Sequence, residues 1–362
     1  TRVRSSAASD VYKRQTYYPE LDGEIGSYFR FLVDCAVASE GLGFDSVWGN
    51  EHHFRAYGGF LPSMPVFLSA IAQRTSTLRL GTSVVVLPLH HPIELAEQLA
   101  MVDLMSNGRL EVGVGRGNTA LDFRALGIST DEALDRTTEG LELLTKAWGQ
   151  EPFSHHGKHF HIDDVDVWPK PRQQPHPPLW MACSRTPASF EWAGRGGYGL
   201  LTIGHVNSID RLAELTASYR QAWAAAGRDP SACRIATFFN VVVAETSRQA
   251  RDLARGMLIR FNALGHGVPT TREYENDDID ALIDDDRVVA GDPAECAAAL
   301  ARVQDRVGLT DAGCKFVFGG ISREDAQRSM RLFAEQVIPR LKDRQPRRSP
   351  APRRSDSEPA DD

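Results

Sequence analysis

Five cysteines in 362 residues, Cys35, Cys183, Cys233, Cys296 and Cys314, are scattered and form no CxxC pair. Neither a disulfide framework nor a zinc knuckle is indicated, and a reducing, cytoplasmic setting is expected. No apolar run approaches the roughly 20 residues of a membrane span. No signal-peptide pattern opens the chain. Positive charge is also short: 41 Lys and Arg against 48 Asp and Glu leave a net charge of −7. A protein that tracks a phosphate backbone needs the opposite balance, so no nucleic-acid partner is expected. HExxH is missing, and no GxSxG elbow surrounds Ser184, which removes the zincin and serine-hydrolase readings.

What remains is ordinary globular composition, 42% hydrophobic and 25% charged. Apolar β-rich runs alternate with amphipathic helical runs. Strands are expected at Phe44–Trp48, Leu78–Leu87, Leu110–Val114, Leu179–Cys183, Gly199–Ile203, Ile235–Ala244 and Lys315–Phe318. Helices are expected at Glu24–Glu40, Pro65–Arg74, Ile93–Met105, Glu132–Trp148, Pro187–Ala193, Ile209–Ala225, Arg248–Ala263, Ala294–Val307 and Arg323–Leu341. Ser106-Asn107-Gly108 is a helix stop. Ser322 followed by Asp325 resembles a capping box with a shorter acid. The strands are continuous apolar runs, as in a parallel sheet buried on both faces.

This pattern predicts an α/β fold, a (β/α)8 TIM barrel, in which seven strands are accounted for and the first is missing or replaced. Residues 1–17 read as an atypical, non-native leader, polar and basic, with Asp10–Tyr17 a poor substitute for a strand. The barrel is expected over residues 18–342. The acidic, glycine-punctuated stretch Gly265–Val289 is expected to be a mobile lid. Residues 343–362 have the composition of a disordered tail.

Three strand ends carry candidate chemistry. In Gly41–Phe54, GLGFDSVWGNEHHF, a buried strand is followed at once by Asn50, Glu51, His52 and His53. Parallel barrels keep their chemistry at the carboxyl ends of the strands, so this is a candidate site. Against it stands a hydrogen-bonded structural histidine; adjacent side chains leaving a strand point opposite ways, so the two differ in role. The second is VGVGRGN, Val112–Asn118. Its glycines let backbone approach a ligand, and Arg116 can fork onto a phosphate. A dinucleotide fingerprint fails, because Asn118 stands where the third glycine is required. A tight turn with a solvent-facing arginine is the alternative. The third is Met181–Pro187, where Ser184, Arg185 and Thr186 precede a helix. That is an anion site, an N-cap by Thr186, or both. The cluster His155, His156, His159 and His161 lies in a glycine-flanked, hairpin-like stretch without a neighbouring cysteine; a surface hairpin is favoured and no metal is expected.

Taken together, EHH, LGTxxxxLPxxHP, SxGRxxxGxGRG and GxPxEC resemble the bacterial luciferase-like flavin-dependent monooxygenases, closest to the group of the luciferase chains themselves. The resemblance runs from about Tyr18 to Leu341. It implies a (β/α)8 barrel binding reduced FMN at its carboxyl face. It further implies activation of O2 as a flavin C4a-hydroperoxide to oxidise a small organic substrate such as an aldehyde or ketone. A separate flavin reductase would supply reduced FMN, and the chain would pair with a second copy or a related chain. Carried over, Arg116, Gly117, Ser184 and Arg185 face the phosphate, with Arg136 helping from its helix. Ser83 and Val84 lie under the isoalloxazine, in a segment that often holds a non-proline cis peptide. His52 matches the active-site histidine, with Glu51, His53 and His91 at neighbouring positions. Gly115 stands where luciferase catalytic chains carry a cysteine, which puts light emission in doubt. An F420-dependent hydride-transfer enzyme of the same superfamily and a non-catalytic, dimer-partner subunit are the alternatives.

Overall fold

The computed structural model describes residues 2–5, 24–54, 61–264 and 278–343. Its frame is a ten-stranded sheet whose hydrogen-bonded path runs β1-β12-β10-β9-β8-β5-β3-β2. The strands are β1 Arg2–Ser5, β2 Ser46–Gly49, β3 Arg79–Thr82, β5 Leu110–Gly115, β8 Leu179–Ala182, β9 Gly199–Ile203, β10 Ile235–Val243 and β12 Asp311–Lys315. Short strands β4 Val85–Val86 and β11 Val289–Gly291 pair with β5 and β10. Every pairing in this sheet is parallel. The two ends of the path, β1 and β2, approach each other. A separate antiparallel hairpin joins β6 Phe153–His156 to β7 His161–Val165.

Continuous burial along β2, β5, β10 and β12 shows both faces covered. The face turned inside the curled sheet is layered. At the amino ends, Glu111 accepts from Trp180 Nε1 at 2.8 Å and pairs with Arg79, while Arg234 stacks over the Trp180 ring at 4.2 Å. Above this, Trp48, Trp180, Leu201, Ala236 and Phe238 form one apolar cluster, against which Val84 packs. Glycine makes the layer possible: a Cβ on Gly81 would lie 2.2 Å from Trp48, and one on Gly313 would lie 2.3 Å from Phe238. Outside the sheet, Arg109 ties the β3 and β5 starts to the preceding helices. Its guanidinium donates to the carbonyls of Ala72, Thr75, Leu78 and Ser106 and to Thr75 Oγ1.

Six of the seven expected strands are present and the seventh is displaced: the residues in register with β10 are Asp311–Lys315, which meet the expected Lys315–Phe318 only at Lys315 because the apolar run follows the paired segment. Three other expectations are corrected. A strand does exist in the leader: Arg2–Ser5 pairs in parallel with Asp311–Cys314. A four-residue run with one β-branched residue is too short to register as apolar periodicity. Residues 6–23, which include most of the leader, lie outside the described residues. Second, Leu78–Leu87 is not one strand. It breaks at Ser83 and resumes as β4, followed by a single turn at Leu87–Leu89. Third, Gly265–Val289 is not one loop. Residues 265–277 lie outside the described residues, but Asp278–Asp284 is a helix. Its acids serve as ion-pair partners: Arg255 reaches both oxygens of Asp280 and Arg251 reaches Asp284, from the helix Ser247–Leu264.

The helix stop at 106–108 is observed, with Asn107 and Gly108 at positive φ. Ser322 Oγ accepts from the Asp325 N–H at 3.0 Å, as the capping pattern predicts. The expected helix Arg323–Leu341 is continuous but carries a π turn at Phe333–Val337. Residues 344–362 of the expected tail lie outside the described residues.

Candidate active site

The carboxyl end of β2 and the β3–β4 break are stitched together. Ser83 N–H donates to Gly49 O at 2.6 Å, Glu51 N–H to Val84 O at 3.2 Å, and Val84 N–H to Asn50 Oδ1 at 3.2 Å. The Ser83–Val84 peptide bond is cis, the geometry that the resemblance implies for this segment.

This stitching buries Glu51 completely. Its Oε1 lies 2.7 Å from His53 Nε2 and 2.9 Å from His90 Nε2; its Oε2 lies 3.0 Å from His90 Nε2 and accepts from the Val86 N–H at 3.1 Å. Burial pushes the Glu51 carboxyl up, but the hydrogen bonds and charges of the two imidazoles outweigh it and hold it at about 2. Burial pulls His90 down, yet its bond to Glu51 and the charges of Glu51 and Glu94 leave it raised. The ligand-capable atoms of Glu51, His53 and His90 fall within 4.8 Å of one another. Hydrogen bonds already occupy the facing atoms, so the arrangement reads as a charge network.

The sequence leaves open which histidine Glu51 holds; the structure gives it His53. Two residues apart on an extended segment, Glu51 and His53 share a side, and His52 takes the other. There, His52 Nε2 meets Asn50 Nδ2 at 3.1 Å. Because Asn50 Oδ1 accepts from Val84, the Asn50 amide faces His52 as a donor. His52 Nε2 is therefore an acceptor, and its proton sits on Nδ1. His90 was passed over in favour of His91. His91 instead precedes the helix Pro92–Met105 and sets its ring edge-on to Phe160. The available signal was the second adjacent histidine pair, at the end of the next apolar run.

A second feature lies on neighbouring strands. β5 ends at Gly115, where a Cβ would stand 2.6 Å from Val84 Cγ2. Gly117 has φ +75°, and a Cβ there would meet Val86 and Phe123. Arg116 between them is exposed. Its charge reaches the Cys183 thiol, which burial pushes up to about 12 against that charge. β5 and β8 are neighbouring parallel strands, with Val114 opposite Met181, and exposed Ser184 and Arg185 follow the end of β8 as exposed Arg116 follows the end of β5. The Ser184 carbonyl accepts from Asn207 Nδ2 at 2.6 Å. Thr186 makes no side-chain cap bond to the following helix; its hydroxyl pairs with Ser189 Oγ at 2.7 Å. Arg136 is not drawn to Arg116 by any described bond. It pairs with Glu132 at 2.7 Å and lies over Phe160.

The histidine cluster is indeed the β6–β7 hairpin. It is fastened to the helix Ala133–Ala147 by Glu139, which binds His155 Nε2 and the backbone N–H groups of His159 and Phe160. One polar residue escaped sequence reasoning altogether. Asn240 is buried on β10 with both amide atoms unpartnered. Two-residue alternation puts it on the same inner face as Phe238, opposite Lys315 in the register.

The described fold and site are those of a parallel α/β protein with its polar groups gathered at strand carboxyl ends. The model of the luciferase-like monooxygenases matches residues 11–310, and the chain belongs to that family. It is 31% identical to 4-hydroxyprotoasukamycin monooxygenase of Streptomyces nodosus subsp. asukaensis, over 85% of this chain and 86% of that one. The solved structure of monooxygenase RslO1 from Streptomyces bottropensis superposes with a TM-score of 0.84 at 31% identity, covering 93% of this chain and 98% of that one. Two further likenesses bear on the cofactor. The oxygenating constituent of 3,6-diketocamphane monooxygenase from the Pseudomonas putida CAM plasmid, solved with FMN, shares the fold. Its TM-score is 0.76 at 20% identity, with 94% and 99% coverage. F420-dependent glucose-6-phosphate dehydrogenase of Kineococcus radiotolerans is 28% identical over 86% of this chain and 93% of that one. The first of these was solved with FMN, and the second is named as F420-dependent.

Proposed function

We propose that this chain is the oxygenase of a reduced-FMN-dependent monooxygenase acting on a small organic substrate, on a closed (β/α)8 barrel. One observation carries the reading: a buried Glu–His network and an Arg–Gly cradle stand at the same end of one sheet, with Val84 between them. The residues fit a flavin mononucleotide. Gly115 and Gly117 bring the backbone on either side of Arg116 hard against Val84 and Val86, where a Cβ at either position would lie 2.6 Å from a valine methyl. Arg116, Ser184 and Arg185 supply cation and hydroxyl for a phosphate, with Arg136 as a further cation from its helix.

Bound reduced flavin would supply the reaction with O2 and the oxidising equivalent. The protein's share is anchoring, orientation and proton handling. Arg116 anchors as a charge-assisted donor. His52 is held through Nε2 by Asn50, while His53 is oriented through Nε2 by Glu51. Proton handling of this kind contributes on the order of 10² to 10⁴ in rate.

The same reading includes a flavin reductase as supplier of reduced FMN and a cytoplasmic location; no described helix is long and apolar enough to cross a membrane. It also includes a dimer. Val66 on the helix Met64–Ala72, and Met101, Leu104 and Met105 on the helix Pro92–Met105, are exposed on helices that pack together. A second copy of the chain would cover them.

F420-dependent hydride transfer is the second reading, favoured by the F420-dependent relative. Equilibrium dialysis against FMN and F420 separates the two. Preferential FMN binding supports the first, and tight F420 binding with no FMN binding overturns it.

A further inference from the structure

We propose that Glu51, His53 and His90 form a binding site for one first-row divalent cation of the Zn2+ type, and that its binding withdraws His53 from the reaction. The second clause rests on the reading of this site as an oxygenase centre; the first does not.

The observation is convergence. Among the described residues, these three bring their donor atoms within 4.8 Å of one another. They come from two separate stretches of chain, the segment after β2 and the turn before the helix Pro92–Met105. Glu51 Oε1 is the common point, 2.7 Å from His53 Nε2 and 2.9 Å from His90 Nε2. The Val86 N–H donates to Oε2 at 3.1 Å and so fixes which way the carboxylate faces. A hydrogen bond of that kind is how metal sites orient a ligating carboxylate. One carboxylate and two imidazoles form a donor set that takes zinc with a fourth position left for water. Imidazole nitrogen also selects Zn2+, Co2+, Ni2+ and Cu2+ over Mg2+ and Ca2+, which prefer oxygen.

The adjustment required is small. Zinc bonds of about 2.0–2.2 Å set tetrahedral ligands about 3.3 Å apart, so each imidazole retreats from Oε1 by about 0.4–0.6 Å. The carboxylate is fully buried, whereas 15% of the His53 side chain and 23% of the His90 side chain are open to solvent. The two groups that move are therefore those on the solvent side, from which an ion arrives. A dication compensates the buried carboxylate directly, whichever imidazole carries a proton in the metal-free protein. On binding, each Nε2 proton leaves the face towards Glu51, for Nδ1 or for water, and the freed lone pair goes to the metal. His52 stays outside the set, its Nε2 turned to Asn50 Nδ2 at 3.1 Å.

The test titrates the full-length, flavin-free protein with Co2+, read by its visible absorption, and then with Zn2+. One Co2+ per chain should bind, be displaced by Zn2+, and resist excess Mg2+. His53→Gln and His90→Gln should each weaken binding by at least about 100-fold, since losing even an outer partner of a ligand costs about 10- to 100-fold. The double variant His156→Gln with His161→Gln, on the exposed face of the hairpin, should bind like wild type. X-ray absorption of the zinc-loaded wild type, which needs no variant, should show imidazole and oxygen ligands together. No binding by wild type, a zinc shell without imidazole, or loss of binding in the hairpin variant but in neither single variant would overturn the site. Zn2+ should also slow reoxidation of bound reduced FMN in wild type and, at the same concentration, leave the His90→Gln rate unchanged. Zinc bound at these residues with no effect on reoxidation would overturn the second clause. Failure of wild type to bind FMN would instead remove the oxygenase reading and leave the metal result standing.

Discussion

Replacing Glu51 by Gln should cost this protein about 3–5 kcal/mol in stability near neutral to mildly acid pH. The figure has two independent routes. A carboxyl held at about 2 rather than 4.5 corresponds to about 3 kcal/mol at pH values above both. Removing one member of a buried ion pair costs about 3–5 kcal/mol, because the remaining charge is stranded. Here the stranded charge is His90, and His53 and the Val86 N–H lose their acceptor as well. The pH dependence has a definite sign. The Glu51 contribution is complete above about 4.5 and disappears as pH falls through about 2. The His90 contribution is complete below its ordinary 6.5 and disappears as pH rises through its raised value. The gap between wild type and Glu51→Gln should therefore be widest between about pH 4.5 and 6.5, and shrink on either side. Urea unfolding of both proteins at several pH values measures it. A gap under about 1 kcal/mol in that window, or one independent of pH, would show that the three residues do not form the charge network described.

Arg116→Ala should weaken FMN binding by about 10- to 150-fold, the loss of one charge-assisted contact of about 1.5–3 kcal/mol; unchanged affinity by equilibrium dialysis would remove Arg116 from the site. Wild type should sediment as a dimer and Met101→Asp with Leu104→Asp as a monomer, since both side chains stand exposed on the helix Pro92–Met105; a wild type that is wholly monomeric at micromolar concentration would contradict this. Asn240→Leu should leave the unliganded protein as stable as wild type or raise its melting temperature, because a buried amide without partners costs about 1–3 kcal/mol. A clear loss of melting temperature would mean that the amide has a partner after all.

Most of the parallel α/β layout was legible because its buried strands are largely apolar runs ended by glycine or a polar cluster; β12, Asp311–Lys315, begins and ends on a charge and was placed too late, on the apolar run that follows it. β10, nine buried residues from Ile235 to Val243, is the clearest case. Arg2–Ser5 was not legible: its place in the sheet comes from pairing with β12, a contact across the whole chain that leaves no local trace. Among the candidate residues, motif spacing located Glu51, His52, His53 and Arg116 at strand ends. It did not settle which histidine Glu51 holds, since that depends on how the segment after Gly49 is tied to the Ser83–Val84 break. His90 and Asn240 were missed for related reasons. One lies 39 residues from its partner Glu51. The other looks like any residue in an apolar strand until its inward direction is known.

The most direct test of the oxygenase reading is an anaerobic titration with reduced FMN and, separately, reduced F420, followed by an oxygen pulse in a rapid-mixing spectrophotometer. The account predicts that reduced FMN binds, and that oxygen then produces a transient absorbance unlike that of either oxidised or reduced FMN. Tight binding of reduced F420 with no such transient, or no binding of reduced FMN, would contradict it.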